Sequence, residues 1–299
     1  MSPSVLKKLA GLTAILVVLW VAYLYRQVPH ERVPFKTAAS SAEQILLEQG
    51  PQKMQLSKSG GDWQVVDSGL RRPADEEKVK ALLSGLKNLQ LEDEISNRAD
   101  RHPEYQVDEA SGTHVSLQNS QGRVLAEGIL GKQAPDFAHS YFRFPNQPNV
   151  YLARGVLPGD VGTPAASAWR RRDLIRMGES NIQAILIERQ GLKTDLVRTS
   201  TDTWTLNGKA LPPGSIDRLV GTLAHLQASE FVDERSASNL SFEALTFARV
   251  TVKGPNASVE LRIGAPDKKL KRYPVSTGKD AGLAWVSDAA IDAILRKPF

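Results

Sequence analysis

The side chains best suited to acid–base or metal chemistry near neutral pH are five histidines, His30, His102, His114, His139 and His225, in a chain of 299 residues. None has a metal-binding side chain four residues away, the spacing that puts two ligands on one helix face, so each reads as a surface or half-buried structural histidine. With no cysteine in the chain, thiol catalysis, disulfides and cysteine-held metals are excluded. The acidic run Glu92-Asp93-Glu94 offers carboxylates for proton transfer. Without a second converging group, it reads as solvated charge. There is no Gly-x-Ser-x-Gly elbow and no phosphate-binding Gly-x-x-x-x-Gly-Lys-Ser loop. No catalytic, cofactor-binding or metal-binding residue is therefore expected.

Binding chemistry has better candidates. Arg170, Arg171 and Arg172 form a run suited to anionic lipid headgroups or an acidic protein surface, and Tyr141-Phe142-Arg143 is expected on an exposed strand as an aromatic-plus-arginine contact. The net charge of +5 is spread along the chain, acids alternating with bases. That dispersion argues against nucleic acid as a partner.

These groups must be positioned by elements, and the first of them is apolar. Residues 9–25, LAGLTAILVVLWVAYLY, run uncharged between Lys7-Lys8 and Arg26. As a helix the run would be ~26 Å long, enough to span the ~30 Å hydrocarbon core if its flanks snorkel. Trp20, Tyr23 and Tyr25 gather at one end, at headgroup level. A cleavable leader would place small residues after the run, but Tyr-Leu-Tyr-Arg-Gln follows, so an uncleaved signal anchor is expected. Residues 1–8 are then a cytoplasmic N-terminus and 26–55 a tether with a short amphipathic helix at Ser40–Gln49.

Beyond the tether the chain is written twice. Leu56–Pro158 (repeat 1) and the second copy, within 194–299, are separated by a linking segment at 159–193. Each copy opens on a tryptophan strand, DWQVV at Asp62 and TWTLN at Thr203. A proline turn follows at Pro73 or Pro213, then a helix with Asp75 or Ser215 as N-cap. Apolar residues recur at helical spacing: Val79, Leu82, Leu83, Leu86 and Leu89 in one copy, Ile216, Leu219, Leu223 and Leu226 in the other. Asp-Glu-x-Ser then stands at Asp93 and at Asp233, an offset of 140. Hairpins ending at Gly131 and Gly264 follow, then strands at Tyr141 and Val150, matched by Arg272 and Leu283. The expected fold is α+β: one transmembrane helix, then two tandem repeats, each a mostly antiparallel sheet with a packed helix. In the linking segment, Ala168–Arg189 reads as a basic helical turn leading into a strand at Ile182–Ile187.

The combination of Trp63, Pro73-Ala74-Asp75, Leu82-Leu83, Gly131, Val150-Tyr151-Leu152 and Arg172-Asp173-Leu174-Ile175 resembles a bacterial membrane-anchored family known only as a domain of unknown function. Its usual Tyr-Gly-Leu is here Tyr105-Gln106-Val107. The resemblance implies one N-terminal anchor, repeated domains, and genes beside a gliding-motility-type ABC transporter and its auxiliary subunit. It carries no catalytic residues.

The expectation is thus a non-catalytic accessory or scaffold subunit of an envelope complex. It is single-pass in the bacterial inner membrane with its bulk in the periplasm, and it needs no cofactor. Lys7, Lys8, Trp20, Tyr23, Tyr25 and Arg26 would meet the membrane interface, and an ABC permease with its auxiliary subunit would be the protein partners. The alternative is a periplasmic binding module for a cell-envelope glycan or lipid.

Overall fold

The computed structural model describes residues 35–67, 69–232, 246–278 and 282–296. The expected anchor, with Lys7, Lys8, Trp20, Tyr23, Tyr25 and Arg26, lies outside the described residues. Among those described, no helix is long and apolar enough to cross a membrane.

The chain opens on helix α1 (Phe35–Ser41) and continues into strands β1 (Gln44–Gln49), β2 (Gln52–Ser59), β3 (Asp62–Asp67) and β4 (Leu70–Pro73). The amphipathic helix expected at Ser40–Gln49 is therefore wrong over most of its length. Ile45 and Leu47 are fully buried and alternate with half-buried neighbours, a period of two that suits a strand with one covered face. β1 pairs with β2 on one side and with β6 (Thr113–Gln118) on the other, so it is a central strand of the first sheet. Repeat 1 accordingly begins ahead of Leu56.

From β4 the chain enters helix α2 (Glu76–Lys87), whose Val79, Leu82 and Leu86 are buried, and then β5 (Gln90–Ser96). Strands β6, β7 (Val124–Gln133), β8 (Ser140–Arg143) and β9 (Val150–Arg154) complete an antiparallel sheet in the order β4-β3-β2-β1-β6-β7-β8-β9-β5. The α2 connection therefore joins the two opposite edge strands, and α1 packs beside it. Phe35 of α1 meets Phe142 edge-on at 6.1 Å. Gly128 makes room for that ring: a Cβ there would lie 2.2 Å from it.

The second sheet repeats this plan strand for strand. Its order is β13-β12-β11-β10-β15-β16-β17-β18-β14. The strands are β10 (Ala184–Arg189), β11 (Leu192–Arg198), β12 (Trp204–Leu206), β13 (Lys209–Ala210), β14 (Glu230–Phe231), β15 (Thr246–Lys253), β16 (Ser258–Gly264), β17 (Arg272–Ser276) and β18 (Leu283–Ser287). Registers match as well: Ile45 faces Leu56 and Leu117, and Ile185 faces Leu196 and Val252. The expected tandem α+β architecture is what the chain forms. The linking segment is shorter than expected, because β10 already belongs to the second sheet.

The two helical layers differ in detail. Asp75 caps α2, its carboxylate accepting from Lys78 N at 3.2 Å. In the second copy the helix spans Asp217–Ala224 and follows Ile216, while the Ser215 hydroxyl donates to Pro212 O at 2.6 Å. The expected Ser215 cap is thus not made: the helix starts only at Asp217, with Ile216 in the cap position and no side-chain cap hydrogen bond. Ile216, Leu219, Leu223 and Leu226 are nevertheless buried as the spacing required.

Candidate functional site: the strap between the two sheets

Between the copies, the chain passes through two short turns, Pro158–Val161 and Ala166–Trp169, and then extends. The basic helical turn expected at the arginine run is replaced by this extended strap. Asp75 N donates to Trp169 O at 2.8 Å and Arg171 N to Pro73 O at 2.9 Å, so the strap pairs with the end of β4. At the next residue it changes sides. Leu174 N donates to Leu226 O at 2.9 Å and Ala228 N to Arg172 O at 2.8 Å, tying the strap to the approach to β14. Antiparallel bridges Ala74↔Arg170 and Asp173↔Gln227 mark the two contacts. One short run of backbone therefore bonds to both sheets, which satisfies polar groups that would otherwise be stranded at two buried edges.

The three arginines separate by role. Arg170 is only 8% exposed, and its guanidinium lies 3.8 Å from the centre of the Phe231 ring, across the junction. It packs the sheets together rather than facing a partner. Arg171 is half-buried and Arg172 exposed. Burial pulls the Arg171 guanidinium below its ordinary pKa, and like charge on Arg176 adds to that, while Glu76, Asp62 and Asp173 oppose it. Arg171, Arg172 and Arg176 line a cleft of about 370 Å³ with Asp75, Glu76, Glu77, Asp173 and Gln227.

All four carboxylates lining this cleft are already engaged. Asp75 caps α2, Glu76 accepts from Trp63 N at 2.7 Å, Glu77 pairs with Lys80 at 2.9 Å and Asp173 accepts from Gln227 at 3.0 Å. Among the described residues, Arg171, Arg172 and Arg176 form no ion pair, and all three line the cleft. Arg176 and Phe231 were not foreseen from the sequence. Arg176 lies four residues beyond Arg172 on the same strap, whereas Phe231 is distant in sequence and is brought to the run only by the strap's path.

Tyr141-Phe142-Arg143 does not form the exposed patch expected of it. Phe142 is 3% and Arg143 5% exposed. The segment around helix α3 (His102–Tyr105) covers this face: Tyr141 packs on Tyr105 at 4.7 Å, and Arg143 Nε donates to Val107 O at 2.9 Å. An arginine whose donors are taken up by a carbonyl and by Glu109 at 3.0 Å is a structural clamp.

The histidines sit nearer to acids than their sequence contexts imply. His139 Nδ1 lies 2.5 Å from Asp136 Oδ2 and its Nε2 lies 3.1 Å from Glu92, which also approaches Arg154 at 3.4 Å. His114 stands 3.7 Å from both Glu48 and Glu127. The His139 group joins the bulged edge strand β5 to the turn before β8. Ser140, the hydroxyl next to it, is wholly buried and donates to Val156 O at 2.6 Å. Among the described residues no cluster suited to hold a metal ion is found.

A family model described as a domain of unknown function, DUF4340, matches residues 63–245, well over half of the chain. The chain belongs to this family. The matched span starts at Trp63 in β3 and runs across the strap into the second copy, so the family's shared sequence includes the junction between the sheets. No curated protein and no solved structure matches the chain.

Proposed function

We propose that this DUF4340 member is a membrane-anchored, non-catalytic accessory or scaffold subunit of a bacterial envelope complex. Residues 9–25 hold it in the inner membrane, and the paired sheets stand on the periplasmic side. Its partners are an ABC-type permease of the gliding-motility class and that transporter's auxiliary subunit. The observation that carries this reading is the strap cleft, where Arg171, Arg172 and Arg176 present guanidinium donors beside carboxylates that are already engaged. Planar, bidentate donors at the edge of a buried aromatic–arginine stack suit an acidic segment of a protein partner. Affinity purification of the tagged full-length chain from detergent-solubilised native membranes tests it. An ABC permease and ATPase should co-purify, and Arg171→Gln, Arg172→Gln and Arg176→Gln together should reduce their recovery. Recovery of neither, or unchanged recovery with the triple variant, would sink the proposal.

One observation favours the second reading, a glycan- or lipid-binding module. A cleft of about 430 Å³ lies between the helix at Asp217–Ala224 and the helix at Asp288–Leu295, lined by Leu219, Ala289 and Ala293 with Arg218, Asp292 and Arg296. At the matching place after β9, the first copy has only the four-residue turn Pro158–Val161, so the cleft is particular to the second copy. Envelope lipid or glycan retained in the same purification, without protein partners, would favour this reading.

A further inference from the structure

The two sheets carry the same small loop, and its tips differ. Between β7 and β8 the chain reads Ala134-Pro135-Asp136, and between β16 and β17 it reads Ala265-Pro266-Asp267. Asp136 Oδ1 accepts from the amides of Ala138 and His139 at 3.0 and 3.1 Å; Asp267 Oδ1 accepts from those of Lys269 and Leu270 at 3.0 and 3.1 Å. The second loop is closed at its base by Asp267 N to Arg272 O at 2.8 Å, and Asp288 N donates to Lys271 O at 3.0 Å. Lys271 takes a left-handed φ of 49°. A loop bonded this thoroughly does not collapse around its own apolar residue. It holds Leu270 out in water at 59% exposure, as the first copy holds Phe137 at 76%.

Around Leu270 the cations outnumber the acids. Lys268, Lys269 and Lys271 are exposed, and none of them makes an ion pair among the described residues. The nearest acid in sequence, Asp267, is taken up by backbone amides, and Arg272 is committed to Glu230 at 2.6 Å. Protein interfaces are depleted in lysine and favour arginine. Compact ammonium groups on flexible stems around a single leucine suit a plane of phosphates over an acyl layer. We propose that the loop Lys268-Lys269-Leu270-Lys271 docks on an anionic lipid bilayer, its leucine seated at the headgroup–acyl boundary and its three lysines on lipid phosphates. The corresponding tip of the first copy, Phe137-Ala138-His139, lacks the lysines, so the surface is specific to the second copy.

The proposal rests on the anchor reading only for keeping a bilayer close, and the test separates the two. Because the chain has no cysteine, Leu270→Cys carries a single environment-sensitive dye, with Leu192→Cys, 69% exposed on another hairpin, as the reference. The full-length protein is reconstituted into phosphatidylcholine vesicles with or without phosphatidylglycerol. The anchor reading predicts flotation with both; flotation only with phosphatidylglycerol would overturn that reading and leave docking standing, and flotation with neither would overturn both. Loop docking predicts a blue shift at position 270 only with phosphatidylglycerol, none at 192, and reversal by salt. Lys268→Gln, Lys269→Gln and Lys271→Gln together should lower the docked-to-undocked ratio about 100-fold. Equal emission in the two vesicle types, or an unaltered shift in the triple variant, would overturn the docking. So would a shift seen in native membranes but not in protein-free vesicles, which would assign the loop to a protein.

Discussion

At Gln106 a single backbone torsion stores strain. The residue follows helix α3 with φ 56°, in the left-handed region where a side chain is strained and glycine is not. A glycine would take this torsion without the strain that a side chain brings. Gln106→Gly should raise stability by about 0.5–1 kcal/mol, relief of strain outweighing the added chain entropy; chemical denaturation would show it, and a destabilised variant would refute it. A second residue-scale expectation concerns Asp136. Hydrogen bonding to His139, then to the amides of Ala138 and His139, holds its carboxyl below the usual carboxylate range. A pKa lowered by folding contributes stability that is present above the unfolded value of about 4 and is lost as pH falls through the folded value. Asp136→Asn keeps the turn's acceptor but not the charge, so wild type and variant should differ at neutral pH and converge in acid. A stability gap that persists at low pH would contradict this.

Two helices with matching apolar stripes start differently, and the difference is measurable. Asp75 accepts from Lys78 N, whereas Ser215 turns its hydroxyl back to Pro212 O. Asp75→Ala should cost about 1 kcal/mol and Ser215→Ala well under half of that, read from paired denaturation curves; equal losses would show that the caps do not govern these helices. Strand β1 shows the limit of reading by window. Its Gln-Ile-Leu-Leu-Glu-Gln is short, and an apolar run of that length fits a helix or a strand alike. Pairing with β2 and β6 decides it, and the pairing with β6 spans a long stretch of sequence that no local pattern reports.

The strap makes one unit of two sheets. Both lie in the compact unit that begins at Phe35. Arg170, stacked on Phe231 at 3.8 Å, is a side chain that spans the junction. Arg170→Ala should remove about 1–2 kcal/mol of that packing and let the sheets unfold apart, so that calorimetry should resolve two transitions in the variant and one in the unaltered protein. A single unshifted transition would show that the backbone bonds of the strap suffice without the stack.

By itself the sequence determined the duplication, the tryptophan strands, the buried helical stripes and the hairpins, because each follows from local spacing of apolar and turn residues. The strap residues Arg172-Asp173-Leu174-Ile175 were visible in it as a family pattern but not as a joint. Only the tertiary structure decided which arginines face outward, that Phe142 and Arg143 lie inside, and that His139 meets Glu92 and Asp136. Those outcomes depend on edges and covering segments that meet across the fold, and alternation along a strand gives two faces without saying what covers either.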